Sequence, residues 1–230
     1  MTTDTTVLEQ RTDAWLAARV GKVTASGFKH VLARNKPTAA QAKAGEPGNP
    51  SAARTTYLWQ QVIERLTGQP APVARTIAMQ WGTDQEPFAL QAYNEAHLVN
   101  VEAVGFVQHP TLAVGCSPDG LVTERSPATG SASDGLIEIK CPFNSANHLE
   151  TWLSGMPEEH TAQVQGQMWI TGREWCDFVS FDPRMPADLQ LYVQRVQRNP
   201  EFIAGLEREI ITFLSEVDAI VQKLQAKTSF

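Results

Sequence analysis

Apolar residues in this chain recur first at helical and later at strand spacing. Residues 13–20 (DAWLAARV) read as a short helix capped by Thr12 or Asp13 and stopped at Gly21. A second helix is expected over 26–33, after Ser26. Residues 35–53 are rich in Ala, Pro and Gly, lack periodicity and read as a mobile loop. Helical spacing returns over 56–67, with Leu58, Trp59, Val62, Ile63 and Leu66 on one face. Asp84 is the expected cap of the next helix, with Pro87 tolerated in its first turn.

Strand patterns follow. The stretches 99–109 and 112–116 flank a tight connection at His109-Pro110-Thr111, and Ser117-Pro118-Asp119-Gly120 is a turn. Residues 124–134 are polar and predict a hairpin loop, and 135–141 (GLIEIKC) alternate as a strand. Pro157 opens a helix that runs to about 170 and ends at Gly172. Strands are expected at 175–181 and 189–197. Asn199-Pro200 then caps a long last helix over about 199–226. Its stripe of Leu206, Ile210, Phe213, Val217, Ile220 and Leu224 fits a core face better than an oligomer seam. This order predicts one α/β domain over 1–230, with a mixed central β-sheet flanked by helices and a helical N-terminal part.

Composition narrows the classes. With 230 residues, 42% of them apolar, the chain can bury one sizeable core. It holds no apolar run near 18 residues, so no membrane span is expected, and its first residues lack the pattern of a secretory leader. Three cysteines, Cys116, Cys141 and Cys176, without a C-x-x-C pair fit a reduced, cytoplasmic setting. A net charge of −6 argues against a uniformly basic nucleic-acid binder. The charge is nevertheless split. Residues 1–80 carry ten Lys/Arg against five Asp/Glu, and residues 81–230 carry nine against twenty. One basic and one acidic face would explain this; compositional drift is the plain alternative.

The chemistry concentrates in 136-LIEIK-140. Alternation sends Ile137 and Ile139 to one face and Glu138 and Lys140 to the other. Charges on a strand flanked by apolar residues are costly unless paired or metal-bound. Asp119 lies one hairpin earlier, in a turn that can aim its carboxylate at the same spot. Two carboxylates and a lysine suit Mg²⁺-dependent phosphodiester cleavage, because Mg²⁺ takes oxygen ligands and the lysine can orient water or stabilise the transition state. No G-x-x-x-x-G-K-[ST] is present, so ATP is not expected, and no H-E-x-x-H surrounds His148 or His160.

The spacing Pro118-Asp119…Glu138-x-Lys140 resembles the PD-(D/E)xK nuclease signature, which is weak as a bare pattern. Its surroundings are more specific. GCSPDGLV, LIEIKCPF, AQVQGQMWITG and FVSFDPRM, preceded by AWLAARVGKVTAS and WGTDQEPFA, resemble the lambda-type exonuclease (YqaJ viral recombinase) family over about residues 13–186. The resemblance implies a restriction-endonuclease-like core and a Mg²⁺-dependent, processive 5′→3′ exonuclease. Such an enzyme degrades one strand of linear duplex DNA and leaves 3′ tails for a single-strand annealing protein. It also implies a homotrimeric ring in a bacterial host or phage-infected cell. A structure-specific or restriction-type endonuclease on the same core is the alternative.

Roles carried over by the resemblance are as follows. Asp119 and Glu138 would hold Mg²⁺, as two ions with Mn²⁺ able to substitute, and the Ile139 carbonyl would be a third ligand. Lys140 would be the catalytic lysine and Glu86 a supporting acid. Gln163 would orient water or the scissile phosphate; Gln167 shares its side of the helix, and Gln165 would be surface polar. Arg19, Ser26 and Ser117 match a 5′-phosphate pocket, with Thr24 joining or replacing Ser26. Met79 could wedge between strands, although core packing is the better expectation beside Trp81. Trp15, Trp59, Trp152, Trp169 and Trp175 are expected in the core, and Cys116 and Cys141 as small apolar residues.

Overall fold

The computed structural model describes residues 9–72, 74–125 and 132–228. In chain order the elements are α1 (Asp13–Arg19), β1 (Val23–Thr24), α2 (Phe28–Val31), α3 (Ala39–Ala44), α4 (Ala52–Thr67) and α5 (Ile77–His97). There follow β2 (Val107–Gln108), β3 (Val114–Cys116), β4 (Gly120–Arg125), β5 (Ala132–Lys140), α6 (Ser145–Ser154) and α7 (Thr161–Thr171). The chain ends with β6 (Trp175–Phe181), β7 (Leu191–Gln197) and α8 (Pro200–Thr228). The main sheet has the order β4-β5-β6-β7, with β5 and β6 parallel and both outer pairings antiparallel. A small sheet, β1-β3-β2, lies apart. The mixed α/β architecture is the expected one.

Alternation along the sheet decides which helix covers which face. Ile137 and Ile139 of β5, with Trp175 and Val179 of β6, pack against Ala89 and Tyr93 of α5. Leu136, Cys176 and Phe178 point the other way, onto Val164 and Met168 of α7. A separate core joins the small sheet to α2, α4 and α8 through Val23, Phe28, Tyr57, Leu206, Ile210, Phe213 and Val217. The α8 stripe is thus a core face through Val217, and only Leu224 near its end is exposed.

Several boundaries differ from the sequence pattern. The 35–53 stretch contains α3, closed by a capping box in which Thr38 and Gln41 satisfy each other's backbone N–H groups, and Arg34 bridges to Pro50. Helix α5 begins at Ile77, seven residues before Asp84. The Thr76 side chain accepts from the Met79 N–H, and Pro87 lies mid-helix, where its ring costs one intrahelical hydrogen bond. Of the strand expected over 99–109, only Val107–Gln108 and an isolated Glu102–Leu121 bridge form. The expected 26–33 helix is a 3₁₀ turn followed by the single turn α2. The hairpin loop reading of 124–134 falls partly at 126–131, outside the described residues; Arg125 pairs with Ala132 on either side of it. The sequence pattern puts His148 on a helical segment without bounds, and α6 is that helix. Its Asn144 cap accepts from the Ala146 N–H, and His148 points inward to Ser180 Oγ at 2.7 Å and the Leu189 carbonyl at 2.7 Å.

The α4 face needs the largest correction. Trp59, Ile63 and Leu66 are exposed, while Arg54, Tyr57, Gln61, Val62 and Glu64 are buried. The inner face is polar because each charge meets a partner. Arg54 forks onto both Glu216 oxygens at 2.8 Å, and Glu64 accepts from the Gly21 N–H at 2.9 Å. Among the described residues no helix is long and apolar enough to cross a membrane.

Candidate active site

Glu138 is almost fully buried and lies on the same face of β5 as Lys140, whose ammonium donates to Glu138 Oε1. Two side chains of α7 complete its environment. Gln163 Nε2 donates to Oε1 at 2.6 Å, and Gln167 Nε2 to Oε2 at 2.6 Å. Their spacing of four residues is what lets both amides reach one carboxylate. Three donors thus fix a charge that would be costly to bury alone.

Asp119 immediately precedes β4. The β4–β5 ladder ends at the Gly120–Ile137 pair, and Asp119 extends it with its own groups. Its N–H donates to the Ile137 carbonyl at 3.1 Å, and its Oδ2 accepts from the Ile139 N–H at 2.6 Å. A strand residue presents its N–H and C=O to the same edge, so the Ile139 carbonyl faces this edge too. Glu86 approaches from α5 and accepts from Arg11 Nη2.

The electrostatics are those of a crowded anionic site. Burial, then the charges of Glu138 and Glu86, push the Asp119 carboxyl well above the usual carboxylate range. Burial alone would lower the Lys140 pKa; Glu138 and Asp119 outweigh it, and the ammonium is held charged. Among the described residues no three His, Cys, Asp or Glu side chains gather into a ready metal cage. Two carboxylates and a backbone carbonyl nevertheless suit Mg²⁺, which takes one or two carboxylates and keeps several waters. The all-oxygen donor set and the excess of negative charge fit that hard cation, not zinc.

A cavity of about 660 Å³, linked to this centre through Arg11, is lined by Arg11, Arg19, Thr24, Ser26, Met79 and Arg75, among others. Arg19 stacks on Trp15, 4.0 Å above its ring, and donates to Ser117 Oγ at 3.4 Å; Trp15 Nε1 donates to the same oxygen at 2.9 Å. Burial lowers the Arg19 pKa, but a guanidinium remains charged. Among the described residues no carboxylate is in contact with it; Glu64, on the wall of the same cavity, acts on this half-buried cation only at a distance. Thr24 Oγ1 and Ser26 Oγ lie 3.2 Å apart, and the Thr24 N–H donates to Tyr57 Oη at 3.3 Å. Gly27 permits that approach: a Cβ there would lie 2.2 Å from Tyr57 Oη. Gly27→Ala is expected to lower stability by roughly 1–3 kcal/mol through overpacking, read as a lower urea midpoint at unchanged m-value.

The structure therefore brings Asp119, Glu138, Lys140, Gln163 and Glu86 to one centre, and Arg19, Thr24, Ser26 and Ser117 around the neighbouring cavity. Met79 is 49% exposed at that cavity, against the core expectation. Gln165 is buried instead of surface polar: its Nε2 donates to the Gln197 carbonyl and its Oε1 accepts from the Asn199 N–H. Trp59 is exposed because α4 turns its other face inward. Cys116 and Cys141 are buried thiols, and burial pushes Cys141 up to about 12, so both pack as inert small residues. Trp15 and Arg11 were missed as site residues. The i, i+4 spacing of Trp15 and Arg19 on α1 was the available signal for the first; Arg11 had none.

Residues 14–174 match the model of the YqaJ-like viral recombinase domain. The chain belongs to this family. The site residues Arg19, Thr24, Ser26, Glu86, Ser117, Asp119, Glu138, Lys140 and Gln163 all fall within the matched stretch, and Arg11 lies just before it. A solved alkaline exonuclease from Laribacter hongkongensis, LHK-Exo, is 39% identical, with a TM-score of 0.79 over 95% of this chain and 98% of that one. Its complex with dAMP superposes with a TM-score of 0.80 at the same 39% identity and coverage of 95% and 98%. A phage-related exonuclease from Haemophilus somnus 129PT shares the fold at 15% identity, with a TM-score of 0.62 over 88% of this chain and 96% of that one. An uncharacterised protein of Acanthamoeba polyphaga mimivirus is 27% identical over 117 residues, 49% of this chain; the match spans only 21% of that relative's length.

Proposed function

We propose that this chain is a Mg²⁺-dependent exonuclease that degrades one strand of linear duplex DNA processively from its 5′ end. The observation that carries the reading is the convergence of Asp119, Glu138 and Lys140 at the end of β5, with a neighbouring cavity whose half-buried Arg19 is in contact with no carboxylate among the described residues. The likeness to LHK-Exo, an alkaline exonuclease solved with dAMP, supports it.

Asp119, Glu138 and the Ile139 carbonyl are the groups that would hold Mg²⁺. When bound, the ion supplies charge for the phosphate oxygens and acidifies water, at one or two positions, with Mn²⁺ able to substitute. Lys140 places a fixed ammonium beside the scissile phosphate, where negative charge develops. Gln163 and Gln167 hold Glu138 in one orientation, and Gln163 is the nearer amide to Lys140's side of the carboxylate. Glu86 supports the centre from α5. Arg19, with Ser117, Thr24 and Ser26, receives the 5′-phosphate and sets one nucleotide across the cleavage position. Cutting from that end leaves 3′ single-stranded tails, the substrate of a single-strand annealing partner. The cavity's cations all come from the basic first 80 residues, which reconciles DNA binding with a net charge of −6. The exposed apolar residues Trp59, Ile63 and Leu66 on α4 support assembly of copies, read as a homotrimeric ring. The reading is of a cytoplasmic enzyme.

Linear duplex labelled at either the 5′ or the 3′ end tests direction. With Mg²⁺, early release of labelled mononucleotide is expected from the 5′ label only; early release from the 3′ label would reverse the assignment. Arg19→Ala is expected to erase the preference for 5′-phosphorylated over 5′-hydroxyl ends, a loss of roughly tenfold or more in KM on phosphorylated ends, since a charge-assisted fork contributes about 1.5–3 kcal/mol.

A further inference from the structure

Arg11 joins the two halves of the site. Its guanidinium donates to Glu86 at the catalytic centre, yet the residue also lines the cavity that holds Arg19, Thr24 and Ser26. Its side chain is about half exposed, so neither contact is closed off by surrounding protein. The backbone beneath it is held in an uncommon conformation. Arg11 has φ 72°, the left-handed region, which a non-glycine residue enters only at a conformational cost. That conformation is fixed from both sides. Gln10 Nε2 donates to the Pro118 carbonyl at 2.8 Å, next to Asp119, and to the Val104 carbonyl at 3.0 Å. Thr12 caps α1 and its hydroxyl donates to the Glu9 carbonyl at 2.7 Å. The strained residue is therefore anchored to the catalytic turn on one side and to the helix bearing Arg19 on the other.

We infer that Arg11 is a second phosphate-binding residue, which exchanges Glu86 for the 5′-terminal phosphate when a DNA end enters the cavity. The inference rests on the proposed end-dependent reading. Its chemistry is an exchange of one oxyanion for another on the same planar fork: Arg11 stays paired, and the partly exposed Glu86 carboxylate is released. Glu86 thereby acts as a place-holder for the phosphate: the end must outcompete a carboxylate, and an uncharged 5′-hydroxyl end cannot. Arg11 is thus a specificity-determining residue that sharpens discrimination between phosphorylated and hydroxyl ends. The cavity, at about 660 Å³, has room for both guanidinium groups and a terminal nucleotide.

Binding without turnover tests this. Blunt duplex oligonucleotides with 5′-phosphate or 5′-hydroxyl ends are titrated by fluorescence anisotropy in EDTA, with wild-type protein, Arg11→Gly, Arg11→Lys and Glu86→Gln. Glycine suits the φ of this position, so Arg11→Gly is expected to retain its melting temperature. It should weaken binding of phosphorylated ends about tenfold with little change on hydroxyl ends, and Arg11→Lys should restore only part of the difference. Glu86→Gln should tighten binding of phosphorylated ends several-fold, because it frees Arg11, and the Arg11→Gly/Glu86→Gln double variant should lose that gain. Wild-type discrimination retained in Arg11→Gly overturns the assignment, as does equal weakening on both ends, which would mark a general charge effect. Wild-type protein that binds both ends alike would instead overturn the end-recognition reading on which the assignment rests.

Discussion

Lys140→Ala is expected to lower Mg²⁺-dependent nucleotide release from linear duplex roughly 10² to 10³-fold, the loss typical of removing one preorganised donor to transition-state charge. The change should fall on kcat, with KM for DNA nearly constant. Glu138 keeps its two donors from α7, Gln163 and Gln167, so the carboxylate stays in position when the ammonium is gone. Lys140 is partly exposed and lines an open cavity, so its truncation adds to existing space instead of hollowing a closed core. Lys140→Arg is not expected to rescue, because a planar fork cannot occupy the place of a compact ammonium in contact with Glu138. Glu138→Gln should be at least as damaging to turnover, since it removes a metal-holding charge. Single-turnover rates with matched circular dichroism spectra check both variants. A Lys140→Ala enzyme within a fewfold of wild type would exclude the ammonium from the chemical step.

Arg195→Ala is expected to produce the largest loss of stability among single changes far from the cavity, about 3 kcal/mol. Asp177, on the central strand β6, is 1% exposed. Arg195 on β7 satisfies it with Nε at 2.9 Å and Nη2 at 2.9 Å, reaches on to Glu124 on β4, and lies 3.6 Å over the Trp175 ring. Tyr93 Oη donates to the same carboxylate at 2.7 Å from α5, and burial together with Asp177 pushes the Tyr93 hydroxyl pKa upward. Removing the arginine leaves a buried carboxylate with one neutral donor, and breaking such a pair costs about 3–5 kcal/mol. The lower end applies because the guanidinium is partly exposed. In a chain of this length the melting temperature should fall by roughly 10 °C. An Asp177→Ala/Arg195→Ala double variant should recover part of that loss, since no lone charge then remains buried. Calorimetry of the three variants checks the sign of the coupling.

The two networks differ in how much of them could be read in the sequence. Alternation in LIEIK fixes Glu138 and Lys140 as neighbours, because the strand period is two and β5 is regular to its end. The helical spacing of Gln163 and Gln167 similarly puts two amides on one side of α7. Asp119 is different: it is aimed by a hydrogen bond to the Ile139 N–H at the point where the ladder stops, and no local pattern encodes that. The Asp177 network joins β4, β6, β7 and α5, whose association is set only by the folded sheet. Helix α4 exposes the limit of periodicity most clearly. Its apolar stripe is real, but Arg54 and Glu64 find partners in Glu216 on α8 and the Gly21 N–H, so these polar residues turn inward. Pro87 and Asp84 were misleading as start signals because α5 is long enough, and packed tightly enough against β5 and β6, to carry a proline in its middle. Arg11 sits in a strained turn whose value appears only once Glu86 and Arg19 are seen on either side of it.

The central claim is that Asp119, Glu138 and Lys140 form an end-dependent, Mg²⁺-requiring nuclease centre. It is tested most directly by incubating the protein with linear and with covalently closed circular duplex of the same sequence, in Mg²⁺ and in EDTA, and resolving the products on a gel. Mononucleotides should accumulate from the linear duplex in Mg²⁺ alone, while the closed circle stays intact. Cleavage of the closed circle, or equal digestion of the linear duplex in EDTA, would contradict the account.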